Sequence, residues 1–285
     1  MGSSLDFLHV VEPASSLAGM ESVVLARTDA EVVGLARTQL EALVQREAKG
    51  DGRITTVVRT GKPFHEISLA AGAGAVDLVV IATHGHTGVK RVLLGSTAER
   101  VVRHAPCPVL TVPTHALSRR DGKTPAFKLK KILVPIDFSK ISTDALPYAV
   151  LLAGHFGSEV ILLNVVEMFP IDYLLGRELT NQTMVPMMMQ AEVDLKAMAA
   201  SLSKSAGVST SAIVRQGTPF AEICDTAKTL GADMIVLTTH GYTGLKHVWL
   251  GSTAERVVRQ ASCPVLAVRE RGHGSVDGPP SPIQA

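Results

Sequence analysis

The stretch HGHTGVKRVLLGSTAERVVRHAPCPVL (His84–Leu110) returns almost unchanged as HGYTGLKHVWLGSTAERVVRQASCPVL (His240–Leu266). Self-similarity at a fixed offset marks a duplicated structural unit, and other segments extend the match outward. LDFLHVVE (Leu5–Glu12) corresponds to VILLNVVE (Val160–Glu167). TTVVRTGKPFHEI (Thr55–Ile67) corresponds to SAIVRQGTPFAEI (Ser211–Ile223), and VDLVVIATHG (Val76–Gly85) to ADMIVLTTHG (Ala232–Gly241). A chain of 285 residues is long enough for two domains. The repeats divide it into a first unit at 1–113, a linker at 114–129 and a second unit at 130–269. A Gly-, Pro- and Ser-rich tail at 270–285 has the composition of a disordered segment.

Within a unit, short β-branched runs alternate with longer helical patterns. KILVPI (Lys131–Ile136), VILLNVV, TSAIVR (Thr210–Arg215), DMIVLTT (Asp233–Thr239) and CPVLAV (Cys263–Val268) read as strands. They are continuously apolar, as expected when both faces of a parallel sheet are covered. Thr218 followed by Pro219 predicts a helix start, Gly231 its end, and Ala191–Gly207 carries apolar residues at helical spacing. The fold class is therefore α/β, two repeated open parallel-sheet domains. Nothing in the first unit corresponds to Lys131–Gly157, so either its start lies upstream or that copy folds with four strands, without the first strand and helix. Two solutions suggest themselves: its second strand pairs directly with its fourth, or it borrows a strand from another chain. The long connection at Met168–Gln190 is rich in methionine, read as gap-filling core.

The net charge of +2 and scattered cations do not describe a nucleic-acid-binding surface. No apolar run is long enough to span a membrane, and no signal-peptide pattern opens the chain. Three cysteines, Cys107, Cys224 and Cys263, form no C-x-x-C pair and no closed disulfide set, which favours a reducing cytoplasm. Cys107 and Cys263 read as small buried apolar residues opening a strand.

In each copy a strand ends at His-Gly, nine residues pass, and Gly-Ser-Thr-Ala-Glu opens a helix. Ligands of open α/β sheets sit beyond the carboxyl ends of the strands. Gly85 and Gly95, like Gly241 and Gly251, can offer backbone N–H groups to an anion, and a helix N-terminus adds further donors. Ser96, Thr97, Ser252 and Thr253 lie in those first turns. Equally, Ser96…Glu99 and Ser252…Glu255 match the capping-box pattern, in which the helix satisfies its own donors. Both readings stand at this level. His84 and His240 either contact phosphate or fix the loop. His84 and His86 lack a third metal ligand. Lys90, Arg91, Lys246 and His247 lie within the loops, where a phosphate contact and a solvated face are both open. No catalytic set is visible.

On these residues both copies resemble the universal stress protein family, across nearly the whole chain. The resemblance implies a five-stranded parallel sheet, ordered 3-2-1-4-5 in the complete second copy. It also implies adenine-nucleotide binding (ATP, ADP or AMP, with Mg²⁺ as the accompanying cation) and a stress-response or signalling role. The ATP-binding members carry G-x2-G-x9-G-[ST]. Here the pattern reads Ala82-x2-Gly85-x9-Gly95-Ser96 and Thr238-x2-Gly241-x9-Gly251-Ser252, with the first glycine replaced in both copies. The family's aspartate after the first strand corresponds to Asp137, which could hold Mg²⁺ through water, and its adenine-facing valine to Val165 and Val10. Asp137 equally suits a turn before a helix. Were φ positive at Thr238, a β-branched residue there would be strained. Pairing through the fifth strands is the assembly the resemblance implies, an internal pseudo-dimer with self-association open. Copy two is the stronger expected site. A non-nucleotide dimerisation or interaction module and a slow ATP hydrolase are the alternatives.

Overall fold

The computed structural model describes residues 3–13, 29–47, 53–74, 76–83, 95–114, 128–167, 177–239 and 251–269. Their elements in chain order are β1 (Ser4–Val11), α1 (Asp29–Glu47), β2 (Arg53–Thr60), α2 (Pro63–Ala73), β3 (Val79–Ala82), α3 (Ser96–His104) and β4 (Val109–Val112). Then follow β5 (Lys131–Pro135), α4 (Lys140–Thr143), α5 (Leu146–Phe156), β6 (Glu159–Val166), α6 (Arg177–Ala206), β7 (Ser209–Gln216), α7 (Pro219–Leu230), β8 (Met234–Thr238), α8 (Ser252–Gln260) and β9 (Val265–Val268).

Two compact units result, Met1–Val76 and Asp77–Pro280. The second holds a seven-stranded sheet ordered β3-β4-β9-β8-β5-β6-β7. Within it β5 is parallel to both β6 and β8, β6 to β7, and β8 to β9. Numbered by the second repeat's own strands, this run is 3-2-1-4-5. β4 then joins β9 antiparallel, Leu110 facing Leu266, so the last strands of the two repeats pair. Neither is an edge; β3 and β7 are.

The central strands have no polar face. Ile132, Val134, Val160, Leu162 and Val236 are fully buried together with Ala149 of α5 and Leu195 of α6. Leu133, Ile161, Leu163 and Ile235 are as deeply buried on the alternate positions. Burying each such side chain contributes roughly 1.5–3 kcal/mol, and the two-sided burial explains why the strands read as unbroken apolar runs. The start of β5 is tied down by a side chain: Asp233 Oδ2 accepts from the backbone N–H groups of Lys130 (2.7 Å) and Lys131 (2.9 Å). Helix α7 begins after Thr218, with Pro219 in its first turn, and ends on Gly231 at φ 60°, a left-handed position that glycine adopts without strain. The Met-rich segment only partly meets the core expectation. Met184 is buried, whereas Met187 and Met189 are exposed on α6.

The first repeat does not close its gap by pairing its second strand with its fourth. β1 pairs with β2 in a two-stranded parallel sheet of its own, in register Ser4↔Arg53 to Val11↔Thr60. β3, the fourth strand of that repeat, pairs with β4. In the second repeat β5 lies between the corresponding strands and bonds to both. Among the described residues β1 has no such neighbour, and it is less buried: Leu5 is 51 % exposed, whereas its counterpart Val160 is 0 % exposed. Compactness accordingly breaks at Val76, while the sequence repeat breaks at 114–129.

Candidate functional site

The order in which strands are added to the sheet reverses at β5. From its carboxyl end the chain leads to β6 on one side, and on the other side lies β8. Crevices at such a switch point are the usual ligand sites of open α/β sheets. Four features converge on that edge of the second repeat: the β5–α4 turn, the end of β6, the end of β8, and the start of α8.

The β5–α4 turn is held by a chain of short bonds. Ile136 donates its N–H to Leu163 O (2.8 Å), and the buried Asn164 donates Nδ2–H to Ile136 O (2.7 Å). Asp137 Oδ1 accepts the Ser139 N–H (2.9 Å), and the Asp137 N–H reaches Ser142 Oγ at 3.4 Å. Ser139 caps α4, its Oγ accepting from Ser142 N–H at 3.1 Å. The carboxylate of Asp137 thus shapes the turn, as one of the two sequence readings anticipated. Between Asp137 and Ser139 stands Phe138, at φ 61°, the one non-glycine residue with positive φ among those described. A left-handed L-residue costs roughly 1–2 kcal/mol. Asn164 and Phe138 were not singled out in the sequence. The signal for Asn164 was a lone polar residue inside VILLNVV; Phe138 carried no comparable signal.

Val165 pairs with Arg215 on β7 and is half-buried; Val10 pairs with Arg59 and is half-buried in the separate β1–β2 sheet. Thr238 ends β8 opposite Val268 and is 8 % exposed, with its φ outside the positive region. The replacement of the first motif glycine is therefore accommodated without backbone strain. Next to it, Thr239 O accepts the Gly251 N–H at 2.7 Å, closing the base of the loop, and Thr83 O accepts the Gly95 N–H at 2.7 Å in the first repeat. At Gly95 an added Cβ would lie 3.3 Å from Thr83 O, a close approach that favours glycine. His84, Gly85, His240 and Gly241 lie outside the described residues, as do His86, Lys90, Arg91, Lys246 and His247.

The capping-box reading is overturned. Gly95 and Gly251 are the N-caps of α3 and α8, and neither helix has a side-chain cap bond. Ser96 and Ser252 are first helical residues, exposed and one position too late to cap; Thr97 and Thr253 follow them. The glutamates turn to arginines instead. Glu99 bonds Arg103 (3.0 Å) and Arg259 (3.4 Å); Glu255 bonds Arg259 (2.9 Å) and Arg103 (3.7 Å). An alternating ring of four charges therefore joins α3 to α8. Arg269 adds two bonds, donating to Ala105 O (2.9 Å) and Arg103 O (3.3 Å) at the end of α3, where a cation is favoured.

The three thiols are free. Burial pushes Cys224 up to about 11. Burial, with the neighbouring Cys224 adding to it, pushes Cys263 up to about 12. Cys107 is also raised, chiefly by burial. They are packing residues. Among the described residues no group of three metal-ligating side chains occurs, and no helix is long and apolar enough to cross a membrane.

The family model described as "Universal stress protein family" matches residues 1–113 and 128–269. A universal stress protein of Methanocaldococcus jannaschii is 36 % identical over 144 residues, 50 % of this chain and 82 % of its own. One from Mycobacterium tuberculosis is 28 % identical over 234 residues, 79 % of this chain and 69 % of its own. The crystal structure of a universal stress protein from Archaeoglobus fulgidus superposes with a TM-score of 0.66 at 22 % identity, covering 94 % of this chain and 86 % of that one.

Proposed function

The chain belongs to the universal stress protein family, and from that premise we propose that its second repeat binds an adenine nucleotide, the protein serving as a stress-response or signalling module. The observation that carries this reading is the helix start beside the switch point. Gly251 opens α8 with no side chain capping it, so the first-turn N–H groups are left for an anion. Asp137 and Val165 stand at the carboxyl ends of the neighbouring strands β5 and β6, where a ribose and base would lie. Gly241, His240, Gly251, Ser252 and Thr253 would take the phosphates, with Thr238 beside the ribose. ATP, ADP and AMP all suit such a site, and Asp137 is the carboxylate to hold Mg²⁺ through water.

In the first repeat Gly85, Gly95, Ser96 and Thr97 would form the phosphate half alone, since no residue there corresponds to Asp137. We expect that half to bind weakly or not at all. A second reading, an interaction module that needs no nucleotide, draws on the β4–β9 ladder and the charge ring between the repeats.

Equilibrium dialysis against ATP tests the primary reading. Parent chain should retain ATP, and Gly251→Val should abolish retention by blocking backbone approach while the fold persists. A folded Gly251→Val protein with parental affinity sinks the phosphate assignment.

A further inference from the structure

We propose that Phe138 is a ligand-contact residue whose ring stacks on the base of the bound nucleotide; this rests on the nucleotide reading above. Phe138 is held at φ 61° and is 40 % exposed. Positive φ in a bulky side chain is an outlier, and such outliers gather where surrounding structure over-determines them for function. Here the over-determination is visible on both sides. Asp137 Oδ1 holds the Ser139 N–H at 2.9 Å, the Asp137 N–H faces Ser142 Oγ at 3.4 Å, and Ser139 Oγ fixes the Ser142 N–H at 3.1 Å. Asn164, itself buried, pins the preceding carbonyl of Ile136 at 2.7 Å. Glycine would satisfy this frame without strain. A phenyl group left 40 % exposed is not explained by core packing alone either.

What the frame does accomplish is placement. It fixes an aromatic ring directly after the carboxyl end of β5, next to Asp137, at the point where the strand order reverses. A planar aromatic presented at a crevice selects a planar partner. A nucleobase is the chemical class that fits, because stacking tolerates any base and is lost when the ring is removed.

Two ligands separate the base from the phosphates: ATP and inorganic tripolyphosphate. Parent, Phe138→Leu, Phe138→Gly and Phe138→Trp are titrated with each by calorimetry, after circular dichroism has confirmed the fold. The leucine keeps an apolar side chain in the same backbone conformation, and the glycine relieves it. Both should weaken ATP binding about tenfold, within the range for loss of one base stack. Tryptophan should hold affinity within about threefold, and tripolyphosphate should bind all four proteins alike. Parental ATP affinity in the leucine and glycine variants overturns the proposal. So does equal loss of ATP and tripolyphosphate, which would make Phe138 a shaper of the loop. A parent that binds tripolyphosphate as tightly as ATP removes the base contact alone. A parent that binds neither removes the nucleotide reading and the stacking with it.

Discussion

Reversing one helix of the Glu99–Arg103–Glu255–Arg259 ring isolates what the two repeats contribute to each other. The variant is Glu255→Arg with Arg259→Glu. It preserves the pairing within α8 but turns both cross-helix contacts, at 3.7 and 3.4 Å, into like-charge contacts. At those distances and an effective dielectric near 20, each contact carries roughly 4–5 kcal/mol of bare Coulomb energy. Solvent and side-chain entropy reduce this heavily. The four side chains are 24–31 % exposed, so about 1 kcal/mol per attractive contact is the reasonable net value. Two attractions exchanged for two repulsions should therefore destabilise the seven-stranded unit by about 3 kcal/mol. For a unit of this size that lowers the midpoint by roughly 6–12 °C, read by differential scanning calorimetry. Reversing Glu99 and Arg103 as well restores the alternation. Only helix-dipole terms of about 0.3–1 kcal/mol per charge then remain. Summed over four reversed charges those dipole terms reach about 1–4 kcal/mol, so the quadruple variant is compared with the sum of the two single-helix reversals, and it should be more stable than that sum by about twice the single-helix contact loss. A single-helix reversal within about 0.5 kcal/mol of parent, or a quadruple variant equal to that sum, would refute the reasoning.

Three further outcomes are expected. Val265→Pro should remove a ladder bond in β9, between β8 and β4; after limited proteolysis within 114–129 its halves should separate more readily than the parent's. Native-state hydrogen exchange should find β1 and β2, a two-stranded sheet among the described residues, opening at lower free energy than β5, β6 and β8; equal protection would contradict the marginal stability expected of two strands. The raised thiols set an alkaline limit. Cys263 is about 12 when folded against 9.0 ordinarily, so its stabilisation is complete below pH 9 and is lost as pH rises from 9 towards 12. Urea midpoints in Cys263→Ala should fall less steeply over that window than in the parent.

Much of this architecture was legible because it is written twice. The repeat located the strands, which depend on long apolar patterns, and the family resemblance supplied the pairing of the last strands. What stayed hidden depends on partners far along the chain. Glu99 and Glu255 match the capping box letter for letter, yet Glu99 bonds Arg259, 160 positions away. No local pattern separates those fates. Likewise, β1 resembles β6 in sequence, yet among the described residues it pairs with β2 alone, whereas β6 lies between β5 and β7. Asp137, Thr238 and Gly251 are nominated by the family resemblance, whereas the backbone of Phe138 is set by hydrogen bonds from Asp137, Ser139 and Ser142 acting together.

The antiparallel seam between β4 and β9 fixes the polarity of everything attached to it. β3 runs with β4, and β8 runs with β9. The carboxyl ends of β3 and β8 therefore open on opposite rims of one continuous sheet. Helices α3 and α8, which start from those rims, run head to tail, and this is why each glutamate near a helix start meets the arginine near the other helix's finish. The helix starts at Gly95 and Gly251 therefore lie at opposite rims, joined by two antiparallel helices and their shared ring of charge.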